Sequence, residues 1–268
     1  WLSVPLKIVE MFYTANGVPI DEDHEWAESG KYSDRYTVGT ATDDDKYNIS
    51  LGYETLALNL NREPRFYATL TFDGNLWYGF NKFDSEDQWV IQSKMGQING
   101  TFMAQKQNVT GYSYKKFVHY RNAYTSNTSY TTIAAPFPVI RLADLYLLCS
   151  EALNEAYGPS QEAYSWIDLV RERAGLEGVE TSWTKYAKSS YKNKPTTQDG
   201  FRKIIQHERL IELASEGQRY WEIRRWKRGR EIWNNQPIQG LDVTQSETPM
   251  FNRVRTLFVQ QFTTKNYL

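Results

Sequence analysis

Glu208-Arg209-Leu210-Ile211-Glu212-Leu213-Ala214-Ser215-Glu216-Gly217-Gln218-Arg219-Tyr220-Trp221-Glu222-Ile223-Arg224-Arg225-Trp226 is the stretch that decides the fold of this chain. On a helix of about 3.6 residues per turn, Phe201, Ile204, Ile205 and Ile211 share one face, and Glu208 and Glu212 fall in the middle of it. A carboxylate on an apolar stripe is costly unless it is paired. Cations follow closely at Arg219, Arg224, Arg225, Lys227, Arg228 and Arg230. One reading is a structural ion-pair network of Glu208, Glu212, Arg219, Arg224 and Arg225. The other is a glycosidase pair, which in a retaining enzyme needs its carboxyls about 5–5.5 Å apart, a spacing within reach of i, i+4 neighbours. Acid and nucleophile must flank one bond in an open cleft. Adjacent positions on an apolar helix face suit that poorly, so the ion-pair reading is preferred.

The hydrophobic period predicts more helices before this stretch. Leu142, Leu145, Tyr146, Cys149, Ala152, Leu153 and Ala156 line one face of a helix that Gly158-Pro159 ends. Ser160 caps a second helix, with Ala163, Trp166, Ile167, Val170 and Ala174 on its face and Gly175 closing it. The two form an antiparallel pair of tetratricopeptide shape, although the consensus spacing is not clearly met. Residues 176–200 read as polar linker. A third helix runs from near Gln198 to Ser215, Gly217 interrupts it, and a fourth spans Arg219 to Arg228. Nearer the start, 3–15 read as a short helix, with Ser3 as cap, Pro5 in the first turn and Asn16-Gly17 as its end.

Val18 to Ala135 has a different texture, rich in Gly, Asn, Asp, Thr, Tyr and Trp. Strand-like stretches appear at Arg65 to Phe72 and Tyr112 to Tyr120. The expected fold is mainly α: a tetratricopeptide-like helical scaffold (137–236) beside a loop-rich, ligand-side region with a few short strands (1–136). Residues 237–268 are expected to be loop followed by a terminal strand. Long loops on a regular frame are usually functional.

A net charge of −1 gives no global field toward nucleic acid or an anionic membrane. The basic-aromatic run with Trp221 and Trp226 could in principle track a phosphate backbone, but cations near a helix C-terminus favour its dipole without any ligand. No nucleic-acid partner is expected. The single cysteine, Cys149, excludes an internal disulfide and leaves the compartment open. No apolar run approaches the ~20 residues of a membrane-spanning helix. The start at Trp1 and the stop at Asn266-Tyr267-Leu268 suggest a piece of a longer chain.

His24, His119 and His207 lack metal-ligand spacing, and Asp43-Asp44-Asp45 lacks the alternation and glycine of a calcium loop. No nucleophile elbow, P-loop or dinucleotide fingerprint occurs. No metal, cofactor or catalytic residue is therefore assigned. The aromatics say more. With 19 Tyr, 12 Phe and 9 Trp in a chain of mean hydropathy −0.65, some rings must lie at the surface. Trp26, Tyr32, Tyr36, Trp77-Tyr78 and Trp89 are flanked by Asp, Asn, Gly and Ser. Flat rings cover the C–H faces of sugars, and polar side chains bond the hydroxyl rim. Trp26, Tyr32, Trp77 and Tyr78 are the candidate stacking residues, with Asp73 and Asn75 as rim partners.

Three segments carry a family resemblance. They are Asn61-Arg62-Glu63-Pro64-Arg65-Phe66-Tyr67, then Arg141 to Leu147 with Glu151 to Ala156, and Glu208-Arg209 through Arg224-Arg225-Trp226. In this order they resemble the C-terminal half of the SusD/RagB family, surface nutrient-binding lipoproteins of Bacteroidetes. Val9 to Asp23, with Asn-Gly-Val-Pro-Ile-Asp, is similar to a further family element. The resemblance implies a tetratricopeptide-like scaffold that binds an oligosaccharide or other nutrient without chemistry. It also implies a SusC-like TonB-dependent transporter as partner, at the outer-membrane cell surface, with attachment through a lipid anchor absent from this chain. The family's N-terminal half has no counterpart here, nor has the Trp-Pro-Ile-Pro strand that usually follows. The rival readings are a glycoside hydrolase using Glu208 and Glu212, and a helical-repeat scaffold that binds only protein.

Overall fold

A computed structural model describes residues 3–79, 87–100, 108–126, 129–134 and 137–261. Pro5 is extended and opens α1 (Leu6–Met11). This helix is shorter than the expected 3–15, because Ser3 bridges to Ser113 instead of capping, and Phe12 already returns to extended backbone. The Asp23 carboxylate caps α2 (His24–Glu28), accepting from the N–H groups of Glu25 and Trp26. Then come β1 (Val38–Thr40) and its antiparallel partner β2 (Glu54–Leu56). Pro64 sits in the first turn of α3 (Pro64–Thr69), which runs into β3 (Leu70–Thr71). The strand expected over Arg65 to Phe72 is therefore mostly helix, since a proline lacking N–H fits a first helical turn.

β4 (Leu76–Tyr78) pairs with β5 (Gln88–Val90), β6 (Ser113–Tyr114) returns to β3, and β7 (Ala123–Ser126) turns on β8 (Ser129–Thr131). Of the strand expected over Tyr112 to Tyr120, only Ser113–Tyr114 forms.

The helical part begins with α4 (Leu142–Tyr157) and α5 (Gln161–Arg173), which pack on each other. The Ser160 hydroxyl accepts from Ala163 N at the start of α5, as expected. The expected polar linker instead holds α6 (Val179–Tyr186), whose Trp183 is completely buried. Next come α7 (Gln198–Glu212), α8 (Gln218–Arg225) and α9 (Gly229–Trp233). Gly217, at φ +80°, supplies the left-handed residue that separates α7 from α8. β9 (Gln236–Leu241), α10 (Thr248–Phe251) and β10 (Val254–Gln260) follow, with β10 antiparallel to β9. Asn266-Tyr267-Leu268 lies outside the described residues. No helix among the described residues is long and apolar enough to cross a membrane.

One core runs through both parts of the chain, including Val9, Phe66, Trp183, Ile204 and Phe251. The apolar face of α7 packs inward as its period dictates, and Glu208 and Glu212 go with it. The face expected for α4 forms in part: Tyr146 and Leu153 pack against the core, and the helix meets both α5 and α7. Leu142 and Leu145 are 60% and 50% exposed, whereas Leu147, Ser150, Glu151 and Asn154 point inward. Polar partners decide this. The Ser150 hydroxyl donates to Ala163 O, the Asn154 amide donates to Gln198 O, and Glu151 accepts from Arg225 and Trp226.

Candidate ligand-binding site

The two carboxylates of α7 lie in an enclosed knot. Arg65 reaches Glu63 at 2.7 Å and Glu208 at 2.6 Å. Arg171, with no exposed side-chain surface, meets the other Glu208 oxygen at 3.1 Å. Glu212 accepts from Arg173 at 2.6 Å, Arg141 at 2.5 Å and Arg65 at 3.3 Å. The cations are thus not the expected ones. Arg225 binds Glu151 and Glu222 instead, and Arg224 lies over the Tyr220 ring. Arg219 meets no carboxylate among the described residues, and burial lowers its pKa to about 10. Burial pushes the Glu208 carboxyl up, but Arg65 and Arg171 outweigh this and hold it below its ordinary value. A carboxylate held ionised and without exposed surface has no proton to donate and no room for a sugar.

The open site lies elsewhere, where β4 and β5 meet the β7–β8 pair. The β4–β5 register sets Trp77 directly opposite Trp89, so both rings project from one face. Tyr124 N donates to Gly79 O and draws β7 against the end of β4. The rings of Trp89 and Tyr124 are then 5.1 Å apart, and those of Tyr124 and Tyr130 are 4.9 Å apart. These four aromatics form one wall of a cleft of about 650 Å³. That is the size of a small-molecule or oligosaccharide subsite.

Tyr114, Phe117 and Val118 line the cleft as well, with Ser93, Asn99, Asn108, Ser113 and Ser215 among its polar residues. Thr71 also lines it, and its buried hydroxyl has no hydrogen-bond partner among the described residues. Phe117 and Ser215 adopt φ of +69° and +62°. Non-glycine residues pay for that conformation, which is commoner where a surface is shaped for a ligand. Lys116 fastens the cleft to the scaffold, donating to Glu212 O at 2.8 Å and Ala214 O at 3.0 Å and pairing with Glu216. Ser215 and Val243 reach the cleft from beyond residue 136, so its lining is not confined to the loop-rich region.

The expected contact residues disperse. Trp77 lines the cleft. Tyr78, one residue on, faces away and lines a smaller pocket, as strand alternation requires. Trp26 is 1% exposed in the core and cannot meet a sugar. Tyr32 packs against the core, with the Arg35 guanidinium 4.4 Å and the Lys188 ammonium 5.5 Å from its ring, and does not reach the cleft. Asp73 is buried behind the cleft. Its carboxylate pairs with Lys94 at 2.8 Å and accepts from Tyr53 Oη and from Ser93 N. Asn75 is buried too, its amide donating to Asn48 O. Both position the wall. Tyr124 and Tyr130 escaped the sequence reading because only the β7–β8 pairing and the bond from Tyr124 N to Gly79 O bring them to the end of β4.

The SusD family profile matches residues 1–268, the whole chain. This chain belongs to the SusD family. Curated relatives include SusD-like protein P2 of Formosa agariphila, 33% identical over 115 residues, an alignment spanning 43% of this chain and 22% of the relative. SusD-like protein P25 of the same organism is 41% identical over 88 residues, spanning 33% of this chain and 15% of the relative. The solved structure of BT4246 superposes with a TM-score of 0.75 at 28% identity, covering 98% of this chain and 40% of that one. A SusD-like protein from Bacteroides fragilis superposes with a TM-score of 0.65 at 22% identity, covering 98% of this chain and 42% of that one, and speaks to the fold alone. The chain therefore spans well under half the length of these relatives, and its helices carry the tetratricopeptide-like architecture of the family.

Proposed function

We propose that this SusD-family chain binds a glycan non-catalytically in the aromatic cleft of Trp77, Trp89, Tyr124 and Tyr130, as part of nutrient capture at the cell surface. The observation that carries this reading is the cleft itself. Its rings offer flat faces to sugar C–H surfaces, and serine and asparagine residues lie among its lining. Residues 1–136 supply most of the ligand side and 137–236 the scaffold; where loop and a terminal strand are expected over 237–268, β9 (Gln236–Leu241) already pairs with β10 (Val254–Gln260). A SusC-like TonB-dependent transporter is the proposed partner and the outer membrane the proposed location, with a lipid anchor outside this chain. The enclosure of Glu208 and Glu212 by arginines argues against the glycosidase reading.

The test is affinity electrophoresis of the full-length protein against plant, mucin and microbial polysaccharides, followed by calorimetry on any that retard it. Retardation without release of reducing ends, lost in Trp89→Ala, supports the proposal. Hydrolysis abolished by Glu212→Gln in a folded protein overturns it in favour of an enzyme. No retardation by any polysaccharide, with the transporter still captured, favours a protein-binding scaffold.

A further inference from the structure

The other side of β4 carries a second, smaller pocket of about 310 Å³, lined by Tyr47, Asn48, Arg62, Tyr67, Tyr78 and Lys115 among others. Its charge is one-sided. The Lys115 ammonium lies 3.3 Å from both Asn75 Oδ1 and Leu76 O, and these neutral oxygens are its only hydrogen-bond partners among the described residues. An ammonium has three donors to fill, so one is left over. Arg62, nearly all buried, donates only to the carbonyls of Val9, Phe12, Tyr13 and Leu58.

The neighbouring carboxylates are engaged elsewhere. Glu63 binds Arg65 and Tyr13 N, Asp45 caps its own turn through Thr42, Asp73 binds Lys94, and Glu10 binds Arg35 and Tyr36. The Lys115 ammonium thus lines the cavity with no carboxylate among its hydrogen-bond partners in the described residues, an arrangement that favours something anionic coming to it. Burial alone brings the Lys115 pKa down to about 8, with no opposing charge to hold it up.

The Lys115 ammonium also lies 5.3 Å from the centre of the Trp77 ring, which faces the aromatic cleft. The pocket and the cleft therefore lie against the two sides of β4.

We propose that this pocket is an oxyanion subsite, in which Lys115 binds a carboxylate or sulfate-ester substituent of an acidic glycan. The inference rests on the glycan reading of the cleft and adds its substrate class. Carboxylates and sulfate esters share the chemistry Lys115 recognises, one or more negative oxygens able to accept from an ammonium.

The test uses calorimetry on the full-length protein with four probes: oligogalacturonate, its carboxyl-reduced form, a sulfated galactan oligosaccharide, and its desulfated form. The expected result is that an acidic probe binds about tenfold or more tighter than its neutralised form. Lys115→Met, checked for folding by circular dichroism, should erase that preference, so that the acidic and neutralised probes bind the variant alike. Which of the two acidic probes is preferred names the source of the oxyanion. Equal affinity for acidic and neutralised probes overturns the subsite, and so does a preference that survives Lys115→Met. In either case, loss of all binding in Trp89→Ala leaves the glycan reading standing.

If none of the four probes binds, the subsite is decided by nuclear magnetic resonance with sodium glucuronate and sodium sulfate. A saturable shift of the Lys115 side-chain resonance with either salt, absent with chloride at equal ionic strength, upholds the oxyanion site. No such shift overturns it.

Discussion

Replacing Glu208 with Gln keeps the shape of the side chain and removes its charge. Of its two cations, Arg65 retains Glu63 at 2.7 Å and Glu212 at 3.3 Å. Arg171, wholly buried, retains as hydrogen-bond acceptors among the described residues only the neutral Gly17 O, Glu177 O and Ser182 Oγ. The substitution therefore strands one fully desolvated guanidinium, and removing one partner of such a pair costs about 3–5 kcal/mol. Glu212→Gln should cost less, roughly 1–2 kcal/mol, because its partners Arg141 and Arg173 are 22% and 57% exposed and water can take over part of their solvation. The assay is urea unfolding of both variants beside the parent, with the slope checked for two-state behaviour.

The same pair sets a direction with pH. The folded Glu208 carboxyl titrates below its unfolded value. Its contribution is therefore fully present above the ordinary carboxylate range and is lost as pH falls through the folded pKa. Glu208→Gln should accordingly lose less stability on acidification than the parent does. Two outcomes would refute the reasoning: a Glu208→Gln cost within 1 kcal/mol of zero, or a cost smaller than that of Glu212→Gln.

Other expectations follow from the same geometry. Trp89→Ala should weaken binding of a retained polysaccharide by roughly tenfold or more, the scale of an interface anchor, with little change in urea midpoint. Trp26→Ala should do the reverse, costing about 3–5 kcal/mol of stability as a buried ring lost from the core while leaving the affinity of the folded fraction intact. Gly74→Ala should destabilise and weaken binding together. Gly74 has φ +88°, and a Cβ there would stand 2.4 Å from the Tyr53 ring that helps hold Asp73. His207 is partly buried, bonded to Met11 O, and desolvation lowers its pKa. The unfolded chain then takes up a proton near its ordinary pKa of about 6.5 before the folded one does. Stability should fall from pH 7 toward 5, and His207→Gln should flatten that fall in urea midpoints.

The scaffold was legible where helical period and stop signals agreed. The inward face of α7, the Ser160 cap and the break at Gly217 follow from local rules, and tertiary packing reinforces each. Period alone misled at the start of α4, because a count of apolar residues does not register that Ser150, Glu151 and Asn154 have hydrogen-bond partners on α5, α8 and α7. The polar stretch 176–200 hid α6 because its burial depends chiefly on two residues, Val179 and Trp183. Within the network of carboxylates, composition identified the charges in need of partners but not the partners. Arg65 and Arg171 come from segments far away in sequence, whereas Arg219 and Arg224 are close in sequence and turn elsewhere.

The candidate site was legible only as a composition of aromatic and short polar residues, since its geometry depends on pairing between distant strands. Trp77 and Tyr78 looked like one aromatic unit, yet a strand sends them to opposite faces, so that one ring joins the cleft and the other the cationic pocket. Asp73 and Asn75 looked like sugar-binding groups, yet both are spent behind the wall. Asp73 fixes Ser93, Tyr53 and Lys94, while Asn75 ties β4 to Asn48 and gives Lys115 an acceptor. The strands here are two to four residues long and contribute few ladder bonds of their own. Short strands hold a ligand-facing wall only when buried polar groups anchor them from behind. The polar residues that the sequence offers as ligand contacts are thus consumed as supports, and the rings that supports cannot use are left facing the cleft.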